Sequence, residues 1–141
     1  MAQQELDNLV RVKQLKEELP AADEIAGLVR SGLVRLKDAS NTSLSIESQF
    51  DLAYNAAHAL SLAALRWHGY RSDSRYLVFQ CLQHTIDLPG AEWRVLDQAH
   101  RKRNLAEYEG HLEIEERLVE ALMRVARIVA ERVEALAVNP P

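Results

Sequence analysis

Apolar residues recur along this chain at the three- and four-residue spacing of helices, and no stretch shows the strict alternation of a strand. The final segment is the clearest case, because its apolar positions form one stripe from Leu118 to Leu136. The pattern predicts six helices, over 3–19, 21–37, 46–68, 75–85, 91–109 and 112–137. We therefore expect an all-α fold.

Residues that begin or end helices lie between these segments. Pro20 should end the first helix, since the residue before a proline disfavours helical backbone. Ser45 and Ser74 are suited to cap the start of a helix through their hydroxyl oxygens. Gly69 and Gly110 are suited to end one, because glycine adopts the left-handed conformation without a steric penalty.

The segment 46–68 is apolar nearly all round, which is typical of a helix covered by neighbours on several sides. Its many alanines would let those neighbours approach closely. We therefore place it at the centre of an up-and-down helical bundle of about five to six helices. We expect one helical domain over 1–139, with a helical hairpin at 3–37 and a frayed tail at 139–141.

Composition narrows the class of protein. The chain has 141 residues and a net charge of −4, and no apolar run approaches the roughly 20 residues that a membrane span needs. The polar N-terminus lacks a signal-peptide pattern, and the single Cys81, beside Phe79 and Leu82, is expected to be buried. We therefore expect a cytoplasmic protein that does not associate with membranes. Basic residues cluster at 66–75 and 94–103, so either a locally basic groove or a solvated charged surface is predicted.

Polar residues interrupt the apolar face of the fifth helix. With about 100° per residue, Arg103 and Glu107 fall about 20° either side of Leu96, in the middle of a face that is otherwise apolar. Buried polar groups are costly unless they are paired. The helix therefore either carries an internal polar network, in which Arg103 and Glu107 pair across one turn, or lines a cleft. The flanking polar residues are His100, Asn104, Tyr108 and His111.

Familiar catalytic and metal-binding patterns are missing from the sequence. No two histidines lie three or four residues apart, and there is no Glu-x-x-His, no zinc-type Cys/His cluster and no glycine-rich phosphate loop. We expect no metal and no cofactor, and we expect His58 and His84 in or near the core. The arginine- and aromatic-rich stretch 66–76 suits either stacking on bases or a helix–helix corner with its arginines extending to solvent; we favour the corner.

Three segments, in order, resemble the HEPN superfamily of all-α domains, in particular small bacterial members encoded beside minimal nucleotidyltransferases. They are the alanine- and aromatic-rich stretch 51–60, the tripeptide 69–71 (Gly-Tyr-Arg) and the stretch 103–108 (Arg-Asn-Leu-Ala-Glu-Tyr). The resemblance covers about residues 50–137. It implies a homodimer, and as possible partners RNA, a nucleotide or a nucleotidyltransferase-type protein, in a toxin–antitoxin setting.

The ribonuclease motif of that superfamily is an arginine, a polar residue, three further residues and a histidine. Arg103 and Asn104 match its first two positions, whereas Tyr108 stands in place of the histidine. The resemblance makes Arg103, Asn104 and Tyr108 the candidate catalytic positions, and a tyrosine with a pKa near 10 is a poor base at neutral pH. The further binding candidates in the same segment are Arg101, Glu107, His100 and His111.

Three functions follow from these patterns. We expect first a non-catalytic or weakly catalytic HEPN-like protein that binds RNA, a nucleotide or a nucleotidyltransferase. The alternatives are an active metal-independent ribonuclease toxin, in which His100, His111 or Tyr108 replaces the missing base, and a helical scaffold whose polar segment only fixes helix register.

Overall fold

The computed structural model describes residues 2–110 and 113–140, and within them the all-α bundle predicted from the sequence is confirmed. Its elements are α1 (Ala2–Arg11), β1 (Lys16–Glu17), α2 (Ala22–Ala39), α3 (Ile46–Trp67), β2 (Tyr70–Arg71), α4 (Arg75–Gln80), α5 (Leu82–Thr85), α6 (Gly90–Glu109) and α7 (Glu116–Ala137). The two short strands pair in antiparallel fashion, with Lys16 opposite Arg71 and Glu17 opposite Tyr70. None of the described helices is both long enough and apolar enough to cross a lipid bilayer.

Helix α3 is the centre of the fold, as its apolar pattern predicts. It packs against α2, α7, α4 and α5, and its buried residues include Phe50, Tyr54 and Leu60. The contact with α2 is close: a Cβ added at Gly32 would lie 2.5 Å from Cγ of Leu60, so only glycine fits there without displacing that side chain. The bundle therefore depends on small residues at its central crossing.

The predicted helix ends are largely confirmed. The Ser45 hydroxyl accepts a hydrogen bond from the backbone N–H of Ser48 at 3.1 Å, and the Ser74 hydroxyl accepts one from Leu77 at 3.3 Å. Gly69 and Gly110 have φ angles of +92° and +79°, the left-handed conformation expected after a helix. Local capping chemistry thus fixes both ends of α3 and the C-terminus of α6.

The prediction for the first helix is wrong. Helix α1 ends at Arg11, well before Pro20, and it packs against α5 instead of forming a hairpin with α2. Its C-terminus is a Schellman motif: the N–H of Lys13 donates to Val10 O, the N–H of Gln14 donates to Leu9 O, and Lys13 has a φ of +65°. The chain then turns to bury Leu15 and to form β1, so tertiary packing overrides the helical spacing.

Two further helices differ from their predicted bounds. The segment 75–85 is divided at Cys81 into α4 and α5, and the buried side chains of Val78, Cys81 and Leu82 follow the surface of the core through this bend. The last helix begins at Glu116; the predicted start at Leu112 lies outside the described residues. Cys81 is buried as expected, and burial raises the pKa of its thiol to about 11.

Arg66 is buried, which contradicts the expectation that the arginines of stretch 66–76 extend to solvent. Its side chain is 1% exposed. The guanidinium donates to the carboxylate of Glu24 at 2.7 Å and to the carbonyl oxygens of Glu18 and Leu19 at 2.8 and 2.7 Å. Arg71 also pairs with both carboxylates, of Glu18 and Glu24. This network joins the segment before α2 to the end of α3.

Candidate functional site

A polar cluster lies where α3 meets α6. The phenol oxygen of Tyr54, on α3, is 2.8 Å from Nδ1 of His100, on α6. One turn further along α6, the side-chain amide nitrogen of Asn104 is 3.2 Å from Nε2 of the same imidazole. Both ring nitrogens of His100 therefore have a partner, so its ring orientation is fixed from both sides. Tyr54 is completely buried, whereas Asn104 is exposed.

Two arginines lie over the Tyr54 ring. Cζ of Arg103, from α6, is 5.1 Å from the ring centroid, and Cζ of Arg75, from the start of α4, is 5.4 Å from it. Both distances are within the range of cation–π attraction. Arg75 also donates to the side-chain oxygen of Asn55 at 2.9 Å. Both guanidinium groups are partly exposed, so the cluster presents two fixed positive charges at the surface.

The histidine and tyrosine neighbours of these arginines have pKa values shifted in the direction that favours their neutral forms. Burial, with help from the positive charges of Arg75 and Arg103, lowers the pKa of His58 to about 4. Burial and Arg103 also lower the pKa of His100, and burial raises the pKa of Tyr54. The only charged members of the cluster are therefore the two arginines. We call Tyr54, Arg75, His100, Arg103 and Asn104 the arginine–tyrosine cluster.

Carboxylates lie next to the Arg103 end of the cluster. Arg103 forms an ion pair with Glu107 at 3.0 Å, the pairing across one turn that the spacing allows. Beyond it lies a shallow groove of about 390 Å³ whose lining includes Glu47 and Asp51. The side chains of Asn55 and Asn104 supply neutral hydrogen-bonding groups beside the two arginines, whose guanidinium groups would be the donors to an anionic ligand.

The structure brings together only some of the residues predicted from the sequence. Arg103, Asn104 and His100 lie in the cluster, and Glu107 pairs with Arg103 but is 64% exposed, so it does not point into the core. Arg101 is exposed and pairs with Asp97 at 3.2 Å. Tyr108 is 95% exposed and forms no part of the cluster. The predicted site residue His111 lies outside the described residues.

The face of α6 that carries Arg103 and Glu107 is buried over only part of its length. Leu96 and Ala99 are buried, whereas Glu107, on the same face, is 64% exposed. Each alternative describes part of this face. His100 belongs to a polar network that reaches buried Tyr54, whereas Arg103 and Asn104 reach the surface.

Sequence reasoning missed three members of the neighbourhood. Tyr54 and His58 are four residues apart on α3 and so share a face, but an apolar helix gives no reason to single them out. Arg75 belongs to the stretch that we assigned to a helix–helix corner. That assignment gave no reason to expect its contact with the Tyr54 ring. The sequence feature that could have indicated Arg75 is the alternation of arginines with aromatic residues in the stretch 66–76.

Within the described part of the chain, no group of three or more His, Cys, Asp or Glu side chains is placed to hold a metal ion. Comparison of the chain with protein-family models, with curated proteins and with solved structures gives no match.

Proposed function

We propose that this protein is a HEPN-like, RNA-binding protein with little or no nuclease activity, and that the arginine–tyrosine cluster is its phosphate-binding site. The observation that carries the proposal is the position of Arg75 and Arg103 within 5.4 Å of the centroid of one buried ring, beside the neutral side chains of Asn55 and Asn104. Guanidinium groups bind phosphate through paired N–H donors in a planar geometry. Two guanidinium groups on one rigid support favour an anion that has several oxygen acceptors. The phosphates of an RNA backbone are such anions.

Neutral hydrogen-bonding groups beside the arginines support RNA as the ligand. The amide of Asn104 is exposed, and the amide oxygen of Asn55 orients Arg75. Single-stranded RNA is commonly bound by a combination of cationic, amide and aromatic side chains. With a net charge of −4, the molecule has no general attraction for nucleic acid, so binding depends on this local arrangement.

The protonation states argue against efficient cleavage. Metal-independent RNA cleavage needs a base to activate the ribose hydroxyl and an acid to protonate the leaving oxygen, and both work best when their pKa is near the working pH. His58 has a pKa of about 4, so it is not available as an acid at neutral pH, and burial also lowers the pKa of His100. Tyr108, at the histidine position of the motif, is 95% exposed and lies outside the cluster.

We predict that the purified protein binds a single-stranded oligoribonucleotide without cleaving it. The measurement is fluorescence anisotropy followed by denaturing electrophoresis of the same sample, with wild type, Arg103→Ala, Tyr108→Phe and Tyr108→His. Tyr108→Phe is expected to bind RNA as wild type does, because it removes only an exposed hydroxyl that lies outside the cluster. Arg103→Ala should bind more weakly.

Other outcomes of that assay select other functions. Cleavage by wild type that disappears in Arg103→Ala would overturn the non-catalytic proposal and establish the ribonuclease alternative. Cleavage that appears only in Tyr108→His would indicate a nuclease site that has lost its base. Absence of both binding and cleavage in wild type would contradict the proposal and leave the scaffold.

We further propose a homodimer in which the exposed end of α6 forms part of the interface. Leu105 and Tyr108 are apolar or aromatic side chains exposed on consecutive turns of that helix, and exposed apolar groups in proximity favour association. A twofold interface here would cover both side chains with their copies in the partner.

We predict that light scattering at micromolar concentration gives the mass of a dimer, and that Leu105→Asp combined with Tyr108→Asp gives a monomer. Val138→Asp is the matched control, since Val138 is also exposed, at 80%, but lies at the end of α7. A dimer disrupted by the control alone would place the interface elsewhere. A monomeric wild type would exclude the homodimer and leave this surface for a nucleotidyltransferase partner.

A further inference from the structure

A second cationic cleft lies on the opposite side of α4 from the bundle core. It has a volume of about 700 Å³ and its walls are the turn after α1, strand β1 and the loop between β2 and α4. Its lining includes Lys13, Lys16 and Arg71, the hydroxyl groups of Ser72 and Ser74, and one carboxylate, that of Asp73. Because Arg71 is paired with Glu18 and Glu24, the positive charge available to a ligand comes chiefly from the two lysines.

The backbone at Lys13 gives an independent reason to regard this cleft as a site. Lys13 occupies the position of the Schellman motif where glycine is usual, with a φ of +65°. A side chain with a Cβ is strained in that conformation. A lysine at this glycine position therefore lowers the stability of the fold. Backbone outliers of this kind commonly lie at functional sites.

Tyr76 connects this cleft to the arginine–tyrosine cluster. Its ring lines the cleft, is 41% exposed and lies 6.2 Å from the imidazole of His100, centroid to centroid. The other neighbour of the ring is Trp93, at 6.5 Å in an edge-to-face arrangement. The exposed face of this aromatic ring can stack on a base of either RNA or DNA.

We infer that the cleft binds the backbone of the same nucleic-acid strand that occupies the arginine–tyrosine cluster, so that a single strand runs from Arg103 across Tyr76 to Lys13 and Lys16. The inference rests on the proposed function, since it extends that site. It makes the ligand a single strand of several nucleotides: a mononucleotide would reach only one end, and a stacked duplex would not offer a base to Tyr76.

The experiment compares a uridine dinucleotide with an oligouridylate of about twelve nucleotides, each labelled with fluorescein, by anisotropy over a range of salt concentrations. The variants are Lys13→Gly combined with Lys16→Gln, and Tyr76→Ala. Lys37→Gln is the control, because Lys37 is exposed in the last turn of α2, away from the cleft. The oligodeoxyuridylate of the same length tests whether the strand must be RNA.

We expect the lysine double variant to bind the long oligonucleotide about tenfold more weakly and to lower the salt dependence of its affinity, in proportion to about 0.7 counterions per lost phosphate contact. Dinucleotide binding should not change. Tyr76→Ala should also weaken binding of the long strand. Lys13→Gly alone should raise the thermal unfolding midpoint while it weakens binding, because glycine relieves the strain at φ +65°. If binding were lost because the variant unfolds, the thermal unfolding midpoint would fall and not rise.

Three results would overturn the inference. Equal affinity for the dinucleotide and the long strand would show that the cluster binds its ligand alone, and the proposed function would stand without the extension. Unchanged binding of the long strand in the lysine double variant would exclude this cleft as its path. No binding of either oligonucleotide by wild type would remove the proposed function together with the inference.

Discussion

Replacing Arg66 with methionine is expected to destabilise the protein by about 3–5 kcal/mol, the range found when one partner of a buried ion pair is removed. Methionine fills most of the volume but supplies no donors. Three acceptors would lose the donor that Arg66 supplies: the carbonyl oxygens of Glu18 and Leu19, and the Glu24 carboxylate, which would keep only its ion pair with Arg71. Since the Arg66 side chain is 1% exposed, water cannot easily replace it.

Arg71→Met is the matched control. Arg71 binds the same two carboxylates, but its side chain is 28% exposed, so the pairs that it forms are screened by solvent. Ion pairs that are open to water contribute about 1 kcal/mol or less. Urea unfolding of both variants measures the difference. Equal losses would mean that the stability of this region comes from the carboxylates' charge in general and not from the buried guanidinium.

The same network gives a pH dependence whose sign follows from Glu24. Hydrogen bonds from Arg66 and then from Arg71 lower the pKa of the Glu24 carboxyl below its ordinary value of 4.5. The folded protein therefore binds a proton at Glu24 less readily than the unfolded chain does. This contribution is fully present above pH 4.5 and is lost as the pH falls through the lower folded pKa. Urea unfolding below pH 4.5 should show a shallower loss of stability in Arg66→Met than in wild type.

The sequence predicts the helices whose stabilising interactions are local. The cap at Ser45, the glycine ends at Gly69 and Gly110 and the all-round apolar character of 46–68 each act within one or two turns, and each appears in the structure as expected. The first helix fails because its end is set by contacts distant in sequence. Leu15 is buried against residues of α3 and α4, and Arg66 binds the backbone of residues 18 and 19.

The candidate site shows the same division. Residues 100–104 can be singled out from the helical wheel alone, because polar groups on an apolar face are unusual. The residues that complete the cluster, Tyr54 on α3 and Arg75 on α4, become neighbours of α6 only through the packing of three helices. A single sequence gives no measure of that proximity. Tyr108 is singled out by its place in the motif and not by the wheel, and it lies outside the cluster with 95% of its surface exposed.

Removing both arginines of the cluster is expected to have the largest effect on RNA binding. Hydrogen bonds to a charged group contribute about 1.5–3 kcal/mol each, so Arg75→Ala with Arg103→Ala should weaken binding by at least about a hundredfold, at about 1.4 kcal/mol per factor of ten. The control is Arg94→Ala with Arg127→Ala, which removes the same charge from exposed positions on α6 and α7. A general electrostatic attraction would make the two double variants equal.

Lysine at both cluster positions separates charge from geometry. Arg75→Lys with Arg103→Lys keeps the net charge, but an ammonium group cannot form the paired, planar contacts of a guanidinium and lies less favourably over the Tyr54 ring. We expect about tenfold weaker binding, between wild type and the alanine double variant, with thermal unfolding midpoints measured in parallel because both arginines also contact Tyr54. Wild-type affinity in the lysine variant would show that the two charges act only as charges. Loss of binding equal to that of the alanine variant would show that paired phosphate contacts supply nearly all of the affinity.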